Sequence, residues 1–187
     1  MLYSKKLLVL IICFMAFTHI LPGLSEKIAA KKNQAHLIFF KQKVRDFAWK
    51  YKDRDVIVVS KKDHLLYYCR NGRLVQNEEW NGFTYDFPVK VSLADKWYRT
   101  PEGEMFVDNK NKWSRYTLFL SLSNPGAYGI HGAPTHLSSY LNKMEKKDPD
   151  LLFVTKKDNT RGCVAVENRV IKYLFAQVDV GTPVLIF

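Results

Sequence analysis

Residues 56–75 read Val56-Ile57-Val58-Val59-Ser60-Lys61-Lys62-Asp63-His64-Leu65-Leu66-Tyr67-Tyr68-Cys69-Arg70-Asn71-Gly72-Arg73-Leu74-Val75. Val56–Val59 and Leu65–Tyr68 are short runs of β-branched, aliphatic and aromatic residues, the composition of a strand. Asn71-Gly72 tolerates positive φ at both central turn positions, so it reads as a tight hairpin leading into Arg73-Leu74-Val75. Further strand candidates follow at Phe87–Leu93, Glu104–Val107, Thr117–Ser123, Leu151–Thr155 and Val184–Phe187. Two helical patterns interrupt this series. Leu137, Tyr140, Leu141 and Met144 recur at helix spacing within 136–146, as do Val170, Ile171, Leu174 and Val178. Upstream, Ala35, Ile38, Val44, Phe47, Ala48 and Tyr51 make residues 32–52 an amphipathic helix. The reading is a helical lead-in over 26–54, then one mainly β domain over 55–187 with two inserted helices.

The 187 residues are 47% apolar and 14% aromatic, enough for a packed core and too apolar for a disordered chain. Lys5-Lys6 precedes an apolar run from Leu7 to Leu21, and Pro22-Gly23-Leu24-Ser25 supplies small residues for cleavage. Residues 1–25 are therefore expected to be a secretory signal peptide, cut after Ser25. The run is short of the ~20 apolar residues of a spanning helix, and His19 breaks it. Removing its two lysines lowers the net charge from +11 to +9. That excess favours an anionic setting: a cell wall, a membrane surface or nucleic acid. Export and the scattered basic residues argue against nucleic acid. The expected location is the periplasm or cell envelope.

The chemistry gathers downstream. Gly129-Ile130-His131-Gly132-Ala133-Pro134 follows a strand candidate, and Thr160-Arg161-Gly162-Cys163-Val164 lies beyond the first inserted helix. A thiol becomes a nucleophile as thiolate, and histidine is the side chain suited to take its proton near neutral pH. Gly162 lets the backbone approach a carbonyl closely, so the N–H groups of residues 161–163 are candidates for holding an oxyanion, and Arg161 brings positive charge beside the thiol. These residues alone also fit a packed cysteine and a simple turn.

The two motifs, extended through Ala165-Val166-Glu167-Asn168, resemble the signature of the YkuD-type L,D-transpeptidase catalytic domain. The opening hairpin, Phe87-Pro88-Val89-Lys90-Val91-Ser92, Arg99-Thr100-Pro101-Glu102-Gly103-Glu104 and Val180-Gly181-Thr182-Pro183-Val184 resemble other parts of that domain, in order. The resemblance implies a β-rich mixed sandwich and an enzyme acting on peptidoglycan stem peptides. Cys163 would attack the carbonyl of the third residue of a tetrapeptide donor, with His131 as base. The Gly132 carbonyl would orient the imidazole, and the amides of Arg161, Gly162 and Cys163 would form the oxyanion hole. Thr160 and Tyr128 are candidate substrate contacts. Many members carry Ser-His-Gly-Cys where this chain has Thr160-Arg161-Gly162-Cys163, which leaves His131 as the motif histidine. The run Asp158–Asn168 is closest to a branch in which some members hydrolyse, so an L,D-carboxypeptidase or amidase is the alternative. A non-catalytic wall-binding module is the reading from another class. The 136–146 helix, lying between the two motifs, is read as a lid or substrate-selecting insertion.

Other features take plain readings. Cys69 is expected to be a buried small residue. Trp80, Phe83, Tyr85, Trp97 and Tyr98 suit either a cleft lining or loop packing. Lys143, Lys146 and Lys147, with Glu145 among them, read as a solvated helix face, and His36, His64 and His136 as structural or surface residues. No metal-ligand spacing or phosphate loop appears, so neither metal nor cofactor is expected.

Overall fold

The Val56–Ser60 run is β1, and all five of its residues are buried. Burial on both faces follows from its central place. It pairs antiparallel with β2 (Leu65–Arg70) and parallel with the last strand, Pro183–Ile186. This geometry comes from a computed structural model, which describes residues 41–124, 127–148, 152–154 and 157–187. The chain divides into two compact units, Met1–Lys43 and Val44–Phe187, and the second carries everything that follows. The expected signal segment, His36 and the start of the lead-in lie outside the described residues. Among the described residues no helix is long and apolar enough to cross a membrane.

Helix α1 occupies residues 44–50 of this unit and buries Val44, Phe47 and Ala48. After β1 and β2 come β3 (Arg73–Leu74), β4 (Glu78–Trp80), β5 (Phe83–Tyr85), β6 (Val89–Lys90), β7 (Gly103–Asn111), β8 (Phe119–Leu122) and β9 (Gly129–His131). Helix α2 (Thr135–Lys147), β10 (Val164–Ala165), α3 (Asn168–Gln177) and β11 (Pro183–Ile186) complete the chain. The main sheet runs β10-β9-β8-β7-β11-β1-β2-β3, with β6 on β2, while β4 and β5 form a separate hairpin. Two residues beyond β6, Ser92 pairs with Ala165 of β10. One segment thus touches both ends of the sheet, which curls around the core.

Asn71-Gly72 makes its turn with φ of 50° and 73°. The β4–β5 hairpin repeats the device at Asn81-Gly82, which the sequence reading passed over because the three-residue strands around it are too short to alternate. Trp80, Phe83 and Tyr85 belong to this hairpin and pack inward, Tyr85 stacking on Tyr173 of α3 with ring centroids 4.4 Å apart. Trp97 and Tyr98 stay exposed. Cys69 is buried and free, and burial pushes its thiol up to about 12.

Three expectations need correction. Residues 152–154 are not a strand: the Phe153 and Val154 amides donate to the Glu167 carboxylate at 2.6 and 2.8 Å instead of to a neighbouring strand. The Phe87–Leu93 run shortens to the two residues of β6, followed by isolated bridges at Ser92 and Ala94. On α2, the apolar stripe Leu137, Tyr140, Leu141 and Met144 docks only in part, with Leu141 and Met144 half-buried. Leu137 is 43% and Tyr140 60% exposed, and no residue of the helix is fully buried. The packed face is rotated onto Ser138, Leu141, Asn142 and Glu145, a stripe dominated by polar side chains.

Candidate active site

Parallel pairing sets the site. Val164 lies opposite Ile130 and Ala165 opposite His131, so the Cys163 motif enters the sheet beside the histidine motif. The Val166 amide then donates to the His131 carbonyl at 2.9 Å and secures the register. Side chains two apart on a strand share a face, and so do directly paired residues. Cys163, Ala165 and His131 therefore project to one side. All three line a cleft of about 910 Å³, bordered by α2, the 114–116 segment and residues 157–161.

His131 is buried, and its Nδ1 lies 2.7 Å from the Gly132 carbonyl oxygen. A carbonyl only accepts, so Nδ1 carries the proton and Nε2 keeps its lone pair. The imidazole stacks on Tyr116 at 3.8 Å between centroids, with Phe119 beyond at 5.8 Å. Burial, aided by the nearby Arg115 charge, holds its pKa down at about 4 against the opposing hydrogen bond to Gly132. Cys163 is half-buried, and its thiol faces the Ala127 carbonyl at 3.8 Å. Burial raises its pKa, opposed by the Gly129 backbone and Arg115. Both shifts favour the uncharged forms, thiol and imidazole. Nε2 makes no hydrogen bond among the described residues.

Helix α3 holds the histidine turn from below. A β-carbon on Gly132 would come within 2.7 Å of Asn168 Oδ1 and 2.8 Å of Ile171 Cγ2, so only glycine fits. Asn168 is buried at the start of α3, and its Oδ1 accepts the Ala133 amide at 2.9 Å. Its Nδ2 reaches Ser138 Oγ and Asn142 Oδ1 of α2, each at 3.4 Å. One asparagine thus ties the histidine loop to the helix over the cleft.

The remaining motif residues fall into distinct places. Thr160 is buried and its Oγ1 donates to the Cys163 carbonyl at 2.7 Å, closing the nucleophile turn. The Gly162 amide is turned inward onto that same Oγ1 at 3.4 Å. The Tyr128 ring packs against Gly162. Arg161 lines the cleft with its guanidinium over the Tyr98 ring, 5.7 Å from the centroid. The cation felt by both Cys163 and His131 is instead Arg115, which the sequence reading missed because nothing in its local pattern marks it. Glu145 is likewise not on a solvated face: it borders the cleft, 3.6 Å from Arg169 Nε. His136 lines the cleft, and His64 pairs with Asp158 at 2.8 Å. Asp158 also accepts the Leu93 amide, anchoring the segment that leads to Cys163. Among the described residues no cluster of three or more His, Cys, Asp or Glu side chains is placed to hold a metal ion.

A cysteine and an imidazole whose Nε2 has no partner among the described residues thus share one cleft on a curled mixed sheet. Residues 54–186 match the YkuD family, the L,D-transpeptidase catalytic domain, and the chain belongs to that family. Among solved structures it resembles an L,D-transpeptidase from Mycobacterium tuberculosis H37Rv, with a TM-score of 0.53 and 17% identity over 71% of this chain and 57% of that one. An L,D-transpeptidase from Enterococcus faecium gives a TM-score of 0.51 and 17% identity over 72% of this chain and 50% of that one. At these identities the likeness concerns the fold, and it spans little more than half the length of each of those chains. No curated protein matches.

Proposed function

We propose that the chain is an exported cysteine enzyme that carries out L,D-transpeptidation on peptidoglycan stem peptides through a Cys163 thioester. The observation that carries this reading is the state of His131. A buried imidazole with Nδ1 fixed on a carbonyl offers an unprotonated Nε2 to the cleft that holds the thiol. Such a base takes the thiol proton as sulfur attacks the carbonyl of the donor's third residue. It returns that proton to the departing amine of the terminal residue, leaving an acyl group on sulfur. An acceptor amine then repeats the cycle in reverse. With the Gly162 amide turned onto Thr160 Oγ1, the amides of Arg161 and Cys163 are left for the developing oxyanion. The net charge of +9 expected after removal of residues 1–25 fits a substrate carrying carboxylates.

Mass spectrometry of purified muropeptides incubated with the mature protein tests the reading. New crosslinked products are expected. Free acid alone would assign hydrolysis, and unaltered muropeptides would remove the enzyme reading.

A further inference from the structure

Among the described residues, three buried side-chain atoms lack a hydrogen-bond partner: His131 Nε2, Ser92 Oγ and Glu145 Oε1. All three residues line the same cleft. Glu145 faces the Arg169 guanidinium, so its charge is answered. Ser92 is different. It is 2% exposed, and a buried hydroxyl left unpaired carries a desolvation cost that no hydrogen bond offsets. Unpaired groups of this kind call for a specific explanation.

Its position supplies one. Ser92 and Ala165 exchange both backbone hydrogen bonds at 2.9 Å, which makes them a directly opposed pair. Ala165 is in turn opposite His131, and His131 opposite Phe119. Three strands and the Ser92 bridge thus place Phe119, His131, Ala165 and Ser92 in one row on one face. An aromatic ring closes one side of the imidazole. On the other side stand a methyl group and then the unpaired hydroxyl. Cys163 lies on this face too, two residues before Ala165.

We propose that Ser92 Oγ and His131 Nε2 together hold the amine nitrogen that leaves in the first half-reaction and attacks in the second. The inference rests on the transpeptidase reading above. In acylation the Cys163 thiol proton passes to Nε2, sulfur bonds to the carbonyl carbon, and the C–N bond breaks as Nε2 delivers the proton to nitrogen. In transfer the acceptor nitrogen bonds to that carbon, gives its proton to Nε2, and the C–S bond breaks to return the thiol. In acylation the nitrogen must turn its lone pair toward the protonated Nε2, and in transfer it must turn an N–H toward Nε2 while its lone pair faces the thioester carbon. The Ser92 hydroxyl, acting as donor or acceptor, fixes that orientation beside Ala165.

The proposal predicts a dependence on leaving group that a structural role lacks. Ser92→Ala should acylate about five- to tenfold more slowly than wild type with a tetrapeptide donor, whose leaving group is an amine that must be protonated. With a thioester analogue of that donor, whose thiolate departs without a proton, the two proteins should agree within about twofold. Pre-steady-state mass spectrometry of the Cys163 adduct reads both rates. The variant's Tm should hold or rise, because an unpaired buried hydroxyl is removed. Equal slowing with both donors, no slowing with either, or a clear fall in Tm would overturn the role of Ser92 while leaving the transpeptidase reading standing. Failure of the wild type to form an adduct with either donor would overturn the reading and the inference together.

Discussion

The Tyr128 ring occupies the place where a β-carbon on residue 162 would stand: such a carbon would lie 2.3 Å from Tyr128 Cε1. Gly162 also holds φ at +116°, a region L side chains rarely adopt. Both constraints fall one residue before the nucleophile. Gly162→Ala should destabilise the fold by about 2–4 kcal/mol, strain and overpacking together, and displace the thiol enough to slow its acylation. Urea unfolding reads the first effect. Adding Tyr128→Ala should recover the overpacking share and leave the backbone strain. If the double variant is no more stable than the single one, the contact with Tyr128 is not the cause.

Cys163→Ala should abolish turnover with little change in Tm, because the thiol is half-buried and its contact to the Ala127 carbonyl is long. Cys163→Ser should be nearly as inactive, since a hydroxyl is much harder to ionise in a site where burial already raises even the thiol. Muropeptide conversion by the alanine variant at more than a few per cent of the wild-type rate would move the nucleophile elsewhere.

Residues that announce themselves locally were legible in the sequence. Asn71-Gly72, the β-branched run at Val56–Val59 and the Gly162-Cys163 turn each have a short-range physical signature, and the pairing of β2 with β3 follows from the first. Arg115, Asn168 and Ser92 have none. Their parts in the site come from pairings across more than thirty residues, such as Ala133 with Asn168 and Ser92 with Ala165, which no window of sequence contains. β7 was read as Glu104–Val107 and extends to Asn111, because Asp108, Asn109, Lys110 and Asn111 are polar and are held by the register with β8, not by apolar alternation. The α2 face was misread for a related reason. Periodicity reports where the apolar residues are, and this helix rests on its polar ones.

Asn168→Ala tests that polar seam. The change strands the Ala133 amide and removes both Asn168 contacts to α2. The expected cost is about 2–3 kcal/mol, chiefly from a buried donor without a partner. Hydrogen exchange should show α2 opening more readily, while β1 and β11 keep their protection. If α2 exchanges as in the wild type, the Thr117–Ser138 and Lys172–Asn142 bonds are sufficient to hold it.

The pH behaviour of His131 follows from its burial. Burial lowers its pKa from 6.5 to about 4, so over that interval the unfolded chain binds a proton that the folded chain does not. Stability tied to this residue is therefore fully present above pH 6.5 and is lost as pH falls toward 4. The full interval corresponds to roughly 3 kcal/mol. Subtracting the unfolding free energies of His131→Gln, which cannot titrate, from those of the wild type at each pH isolates this contribution. The difference should be flat above pH 6.5 and slope downward below it. The same depression keeps Nε2 unprotonated, and hence a competent base, well below the usual histidine range. The acid limb of kcat/KM for the free enzyme should fall near pH 4, with a plateau across pH 5.5–8 because the raised thiol stays protonated there. An acid limb at 6.5, or a stability difference with no slope between 6.5 and 4, would mean that His131 is solvated in the working enzyme and that the neutral pair is not its resting state.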